Sequence, residues 1–134
     1  MKRQIQLTMH NSGEVTNRTP EQKLFQHENQ ATEIVAHFES ECFLEECGME
    51  TCDCFDKYKF RVVFQPPDGA RKILHIDEGK TAETGQKTIA FQITKDLLTK
   101  AGFLEMIIAA ICEEEKITMK WEPISFKVHA CDKK

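Results

Sequence analysis

Alternation of apolar and polar residues with a period of two is the feature that most restricts the fold of this chain. Such a pattern puts one set of side chains on a buried sheet face and the other in solvent. Ile5, Leu7 and Met9 alternate with Gln4, Gln6 and Thr8, and Ile34, Ala36 and Phe38 continue from Thr32 against Glu33, Val35 and His37. Tyr58, Phe60, Val62 and Phe64 face away from Lys59, Arg61 and Gln65, and this run stops at Pro66-Pro67-Asp68-Gly69. Proline presets the backbone for a turn and glycine accepts a positive φ, so the four residues predict a turn. Ile73, Leu74 and Ile76 follow at once, which predicts a hairpin. Ile89, Phe91 and Ile93 form a further alternating run after the polar stretch 77–86.

Residues 94–112 fit two periods. Leu97, Ala101, Leu104, Ile108, Ile111 and Cys112 lie on a helical stripe, yet Gly102 and the β-branched Ile107, Ile108 and Ile111 favour a strand. The reading adopted is a short helical turn over 94–98, then a strand from Phe103 to about Glu113, apolar on both faces as in a central sandwich strand. Glu113-Glu114-Glu115-Lys116 turns the chain into a last strand, where Ile117, Met119 and Trp121 share one face and Ile124, Phe126 and Val128 the other parity. A break at Glu122-Pro123 restores inward pointing, because a one-residue shift turns every side chain over and proline cannot donate to a ladder.

About seven strands separated by turn signals, with no alternating helices to cover a parallel sheet, predict an all-β fold, an antiparallel β-sandwich with one short helical turn. Phe60, Val62, Phe91, Ile93, Ile108 and Trp121 are the expected core. The polar stretch from Asn11 to Gln30 reads as an ordered loop or an arm. At 134 residues, 40% hydrophobic and 30% charged, the chain has the size and composition of one folded domain, 1–134, with a cysteine-rich loop at about 40–56.

The balance of 18 Lys+Arg against 22 Asp+Glu, a net charge of -4, supplies no field that attracts phosphates, so no nucleic-acid partner is expected. Nor is a membrane: Met1-Lys2-Arg3-Gln4 is not followed by the apolar core of a signal peptide, and no stretch approaches the ~20 apolar residues of a spanning helix. A reduced protein made in the cytoplasm is the expectation.

Four of the six cysteines, Cys42, Cys47, Cys52 and Cys54, fall in a C-x4-C-x4-C-x-C pattern. Their thiolates are candidate ligands for a tetrahedral zinc, with Gly48 letting the loop fold back, although the paired C-x2-C knuckles of common zinc modules are missing. Alternatively, Cys42 beside Phe43 and Leu44 packs as a small hydrophobe while the others stay reduced in an acidic loop, or two of them form a disulfide. Apart from this zinc reading no cofactor is expected. The histidines, His10, His27, His37, His75 and His129, are scattered, and no cysteine has a local signature of nucleophilic catalysis. Glu45-Glu46 and Glu113-Glu114-Glu115 lack the Asp/Asn and Gly spacing of a calcium loop, and no glycine pattern suits a phosphate cradle. No catalytic residue is assigned, and no enzymatic activity is expected.

Three stretches carry a resemblance. Gln26-His27-Glu28-Asn29-Gln30-Ala31, leading into the alternating run to Phe38, is similar to a polar "Q-x-D/E-N" lead-in; Tyr58 to Gly69 is similar to a strand closing on "P-D-G"; and Ile93-Thr94-Lys95-Asp96-Leu97-Leu98-Thr99-Lys100-Ala101-Gly102 is similar to a helical turn opening a "G-x-L/F" strand. Together they resemble the amino-terminal domain of upper baseplate proteins of phages with long, noncontractile tails. The resemblance covers about half of the chain. It implies a β-sandwich that attaches to the tail baseplate, in a family whose carboxyl-terminal portion carries receptor-binding proteins and whose role is structural. The insert from Cys42 to Cys54 has no counterpart in that pattern, and the long distal portion is missing, as in either a stand-alone virion protein or an excised domain. The expectation is therefore a phage or prophage virion protein, associated with tail or baseplate and assembled in the host cytoplasm. Its expected partners are other virion proteins, in a homo-oligomer or a tail assembly. The alternative is a zinc-binding interaction module.

Overall fold

The computed structural model of the protein describes residues 3–39, 58–76, 80–81, 87–113 and 117–130. Eleven strands are present among them: β1 (Arg3–Met9), β2 (Val15–Asn17), β3 (Leu24–Phe25), β4 (Thr32–Phe38), β5 (Lys59–Gln65), β6 (Lys72–Ile76), β7 (Lys80–Thr81), β8 (Lys87–Gln92), β9 (Gly102–Cys112), β10 (Ile117–Lys120) and β11 (Ile124–His129). One turn of 3-10 helix, Lys95–Leu97, stands between β8 and β9.

The strands form two sheets. The first has the order β2-β1-β4-β8-β7, and the second β3-β11-β9-β5-β6, with β10 also pairing β9. Alternation decides which side chains enter the space between them. In β4, Thr32, Ile34, Ala36 and Phe38 are buried and the residues between them only partly so; in β5, Phe60, Val62 and Phe64 are buried. The two inner faces make one apolar core, and all six residues expected there are inside it. Aromatic rings join the sheets, Phe38 lying 5.1 Å from Phe60 and 5.3 Å from Trp121 by ring centroids, and Phe64 6.0 Å from Phe91. The protein is an all-β sandwich.

The predicted hairpin pairs β5 with β6, Val62 opposite Leu74. β9 is the central strand of the second sheet, flanked by β5 on one side and by β11 and β10 on the other. The break at Glu122-Pro123 separates β10 from β11, so that buried Trp121 and buried Phe126 and Val128 point inward despite their opposite parity.

Pairing departs from the antiparallel expectation at two places. β1 lies parallel to β4, Ile5 opposite Ile34, and β3 lies parallel to β11. For β1 and β4, the segment between them provides the crossover that parallel neighbours need. That segment, expected as a loop or arm, gives β2 to the edge of the first sheet and β3 to the edge of the second. The strand number also exceeds the expected seven, because β2, β3 and β7 span only two or three residues and cannot display an alternation, and because the last expected strand is divided into β10 and β11.

Candidate interaction surface

The residues that carry the sequence resemblance are far apart in the chain and meet at one corner of the sandwich. His27 and Gln30 have positive φ, 72° and 57°, which folds the segment before β4 into a tight excursion. Its polar groups are then consumed by the helical turn: the His27 N–H donates to the Leu98 carbonyl (2.9 Å), the Gln30 N–H to the Ile93 carbonyl (2.9 Å) and Gln26 Nε2 to the Thr99 carbonyl (2.9 Å), while Asn29 Oδ1 accepts from the Lys95 N–H (3.0 Å). On its other side the turn meets the β5–β6 hairpin, where Thr99 Oγ1 donates to Asp68 Oδ2 (2.6 Å) and the Ala70 N–H donates to Asp68 Oδ1 (2.8 Å).

These bonds favour the charged form of Asp68: the Thr99 hydroxyl first, then the Ala70 N–H, hold its carboxyl below the ordinary 3.8. A depressed carboxylate contributes stability that is present above its unfolded pKa and lost as pH falls through the folded one. Asp68→Asn is therefore expected to lower the melting temperature slightly near neutral pH. The gap from the parent should close as pH falls below 3.8, read by thermal unfolding followed across pH.

The two flanks of the sandwich differ. One carries β2 and β3 and is stitched across: Trp121 Nε1 donates to the His10 carbonyl (2.8 Å), the Glu122 N–H to the Gly13 carbonyl (2.8 Å) and the Val15 N–H to Glu122 Oε2 (3.1 Å). The opposite flank is open among the described residues. β6 is the edge of the second sheet, and β7 covers only the Lys87–Thr88 end of β8 in the first. All of β6 except Ile76 is exposed, Ile73 at 50% and Leu74 at 36%. Phe103, at 64%, is the third large exposed apolar residue among those described, and it stands on the outer face of β9 opposite Lys127.

Between β6 and the first sheet the core opens into a cleft of about 210 Å³ lined by Phe64, Lys72, Ile73, Leu74, Gln92, Thr94, Asp96 and Leu97. Register explains its chemistry. Lys72 and Leu74 stand opposite buried Phe64 and Val62 and so face inward, where no strand of the first sheet covers them among the described residues. Lys72 Nζ lies 3.8 Å from Asp96 Oδ2. Gln92 Oε1 is buried with no hydrogen-bond partner among the described residues. No cleft residue was singled out from the sequence as functional. The available signal was the adjacent pair Ile73-Leu74, which interrupts alternation by placing an apolar residue on each face of one short strand.

The candidate zinc ligands Cys42, Cys47, Cys52 and Cys54 lie outside the described residues, as do Glu45-Glu46 and Glu114-Glu115. Cys112, which is described, is buried in the core. The histidines are not brought together: His10 contacts Glu39 (3.1 Å) and Thr16 (2.8 Å), His37 contacts Gln6, and His129 packs on Phe25. Hydrogen bonding by the Asn11 N–H, then by His10, holds the Glu39 carboxyl below its ordinary value. Among the described residues no three His, Cys, Asp or Glu side chains are grouped to hold a metal, and no helix is long and apolar enough to cross a membrane.

No family model matches the chain, and no curated protein matches it. Among solved structures, the chain is similar to the N-terminal domain of ORF48 of phage TP901-1, at 10% identity and a TM-score of 0.47, over 95% of this chain and 97% of that one.

Proposed function

We propose that this protein is a structural or assembly component of a phage or prophage virion, associated with tail or baseplate, that acts by binding neighbouring proteins and catalyses no reaction. The observation that carries this reading is the corner built by the three stretches that resemble upper baseplate proteins. Segments up to 73 residues apart are hydrogen-bonded to one another there, so the resemblance falls on one contiguous piece of surface and framework. The flank that is open among the described residues supplies the means, since strand edges and exposed apolar side chains are what a protein partner covers. Fractionation of a lysate from the producing host tests the reading. The chain should sediment with tails or whole particles at a fixed ratio to the other virion proteins. Recovery only in the soluble fraction, with particles lacking it, would overturn the proposal.

The zinc alternative rests on the spacing of Cys42, Cys47, Cys52 and Cys54. Every ladder among the described residues is made without the segment 40–57, so the variant Cys47→Ser, Cys52→Ser, Cys54→Ser is expected to keep its β circular dichroism and most of its thermal stability, with or without chelator. A structural zinc would contribute on the order of 10 kcal/mol to folding, and its removal would then unfold the chain. Cooperative unfolding by chelator at neutral pH would put the zinc module first.

A further inference from the structure

We propose that β6 takes up an extended segment of a partner protein by strand addition, one in which apolar and acidic residues alternate. One apolar side chain of that segment occupies the cleft beside Leu74. The proposal deepens the virion reading and rests on it only for which proteins supply the segment.

Three observations converge. First, β6 is an edge: its inner neighbour is β5, and no strand among the described residues pairs with its outer side. Such an edge presents free N–H and C=O groups to an incoming strand. Second, the cleft beside it is the unfinished end of the core. Phe64 and Leu97 are buried at its wall while Leu74 stays partly exposed, so an apolar side chain entering there is covered on the side where Leu74 now meets water. At about 210 Å³ the cleft is smaller than the ~300–1,000 Å³ of ordinary small-molecule sites, and it fits a side chain better than a free metabolite. Third, the polar groups that could meet a carboxylate stand on one side. Lys72 on the inner face is already matched by Asp96. Arg71, just before the strand, and His75 are exposed and share the outward parity of Ile73.

An added strand must repeat this division. Its inward residues, facing Leu74 and Ile76, are apolar; its outward residues, facing Arg71 and His75, are acidic. A second copy of β6 meets these requirements poorly. Antiparallel self-pairing about Leu74 would set His75 against Ile73 and join two strands that carry Arg71, Lys72 and His75 and no carboxylate. A lysine on an edge strand is a recognised device against such self-pairing.

The test uses the full chain, labelled with nitrogen-15, and two soluble heptapeptides: one alternating leucine and glutamate, the other leucine and lysine. Amide hydrogen exchange is read residue by residue. The acidic peptide should slow exchange within residues 72–76 by about tenfold or more and leave β1 and β11 unchanged, whereas the basic peptide should have no such effect. Leu74→Lys should abolish the response, and so should Ile73→Pro, which an edge strand tolerates but which removes a backbone donor; circular dichroism checks that both variants fold. Slowing by neither peptide, or equally by both, would overturn the proposal. So would β6 protection that rises with the concentration of the chain alone, because the occupant would then be a second copy. Fractionation of virions is independent of this result: a particle-bound chain that ignores the acidic peptide refutes the strand-addition proposal alone, while a chain that binds the peptide but is absent from particles refutes the virion reading alone.

Discussion

Phe38→Ala is expected to lower the free energy of unfolding by about 3–5 kcal/mol, the usual cost of truncating a buried phenylalanine. Phe38 ends β4 in the first sheet and its ring lies against Phe60 of β5 and Trp121 of the second sheet, so its removal opens a cavity where the two layers meet. The surroundings are poorly able to collapse into that space, since Phe60 and Trp121 are held by the ladders of β5 with β9 and by the Trp121 Nε1 bond to the His10 carbonyl. Urea unfolding followed by Trp121 fluorescence reads the loss directly, because Trp121 is the only tryptophan of the chain. A loss below about 1 kcal/mol would mean that the ring does not bridge the sheets, since even exposed positions vary by roughly half that amount.

Gly102→Ala is expected to have the next largest effect, about 1–3 kcal/mol, from a backbone conformation that side chains rarely adopt. Gly102 opens β9 with φ at +139°, and a Cβ there would stand 3.1 Å from Pro67 Cβ and 3.3 Å from Pro67 Cγ. The proline ring is stiff, and its turn is fixed to the helical turn through Asp68 and Thr99, so the hairpin must shift to make room. Gly69→Ala supplies the control. Gly69 also has a positive φ, +84°, but a Cβ there would meet nothing within 4 Å. Gly102→Ala should therefore be the more destabilising of the two in urea unfolding, and equal losses would show that the Pro67 contact contributes nothing.

Face and turn are local properties, and both were legible in the sequence. Ile34, Ala36 and Phe38 lie on one face because successive strand side chains point to opposite sides, whatever strand lies alongside. For the same reason the six expected core residues are buried and the parity reversal at Glu122-Pro123 marks a break between two strands, while the backbone preferences of proline and glycine let the Pro66–Gly69 turn close a hairpin. The neighbour of a strand is not local. The parallel β1–β4 pair depends on where the chain goes between Met9 and Thr32, and the two- and three-residue strands on that path are held by the edges they join, not by any pattern of their own.

The candidate surface followed the same division. Ile73 and Leu74 read as ordinary strand residues, and only the packed structure decides that, among the described residues, β6 lies at an edge with the first sheet stopping short of it. The same holds for the corner, where Asn29 meets Lys95 and Thr99 meets Asp68 across intervals of 66 and 31 residues. The sequence by itself thus determined which side of each long strand is apolar, since that follows from a backbone period of two. Tertiary structure decided which apolar groups find cover, because burial depends on what the rest of the chain brings opposite them.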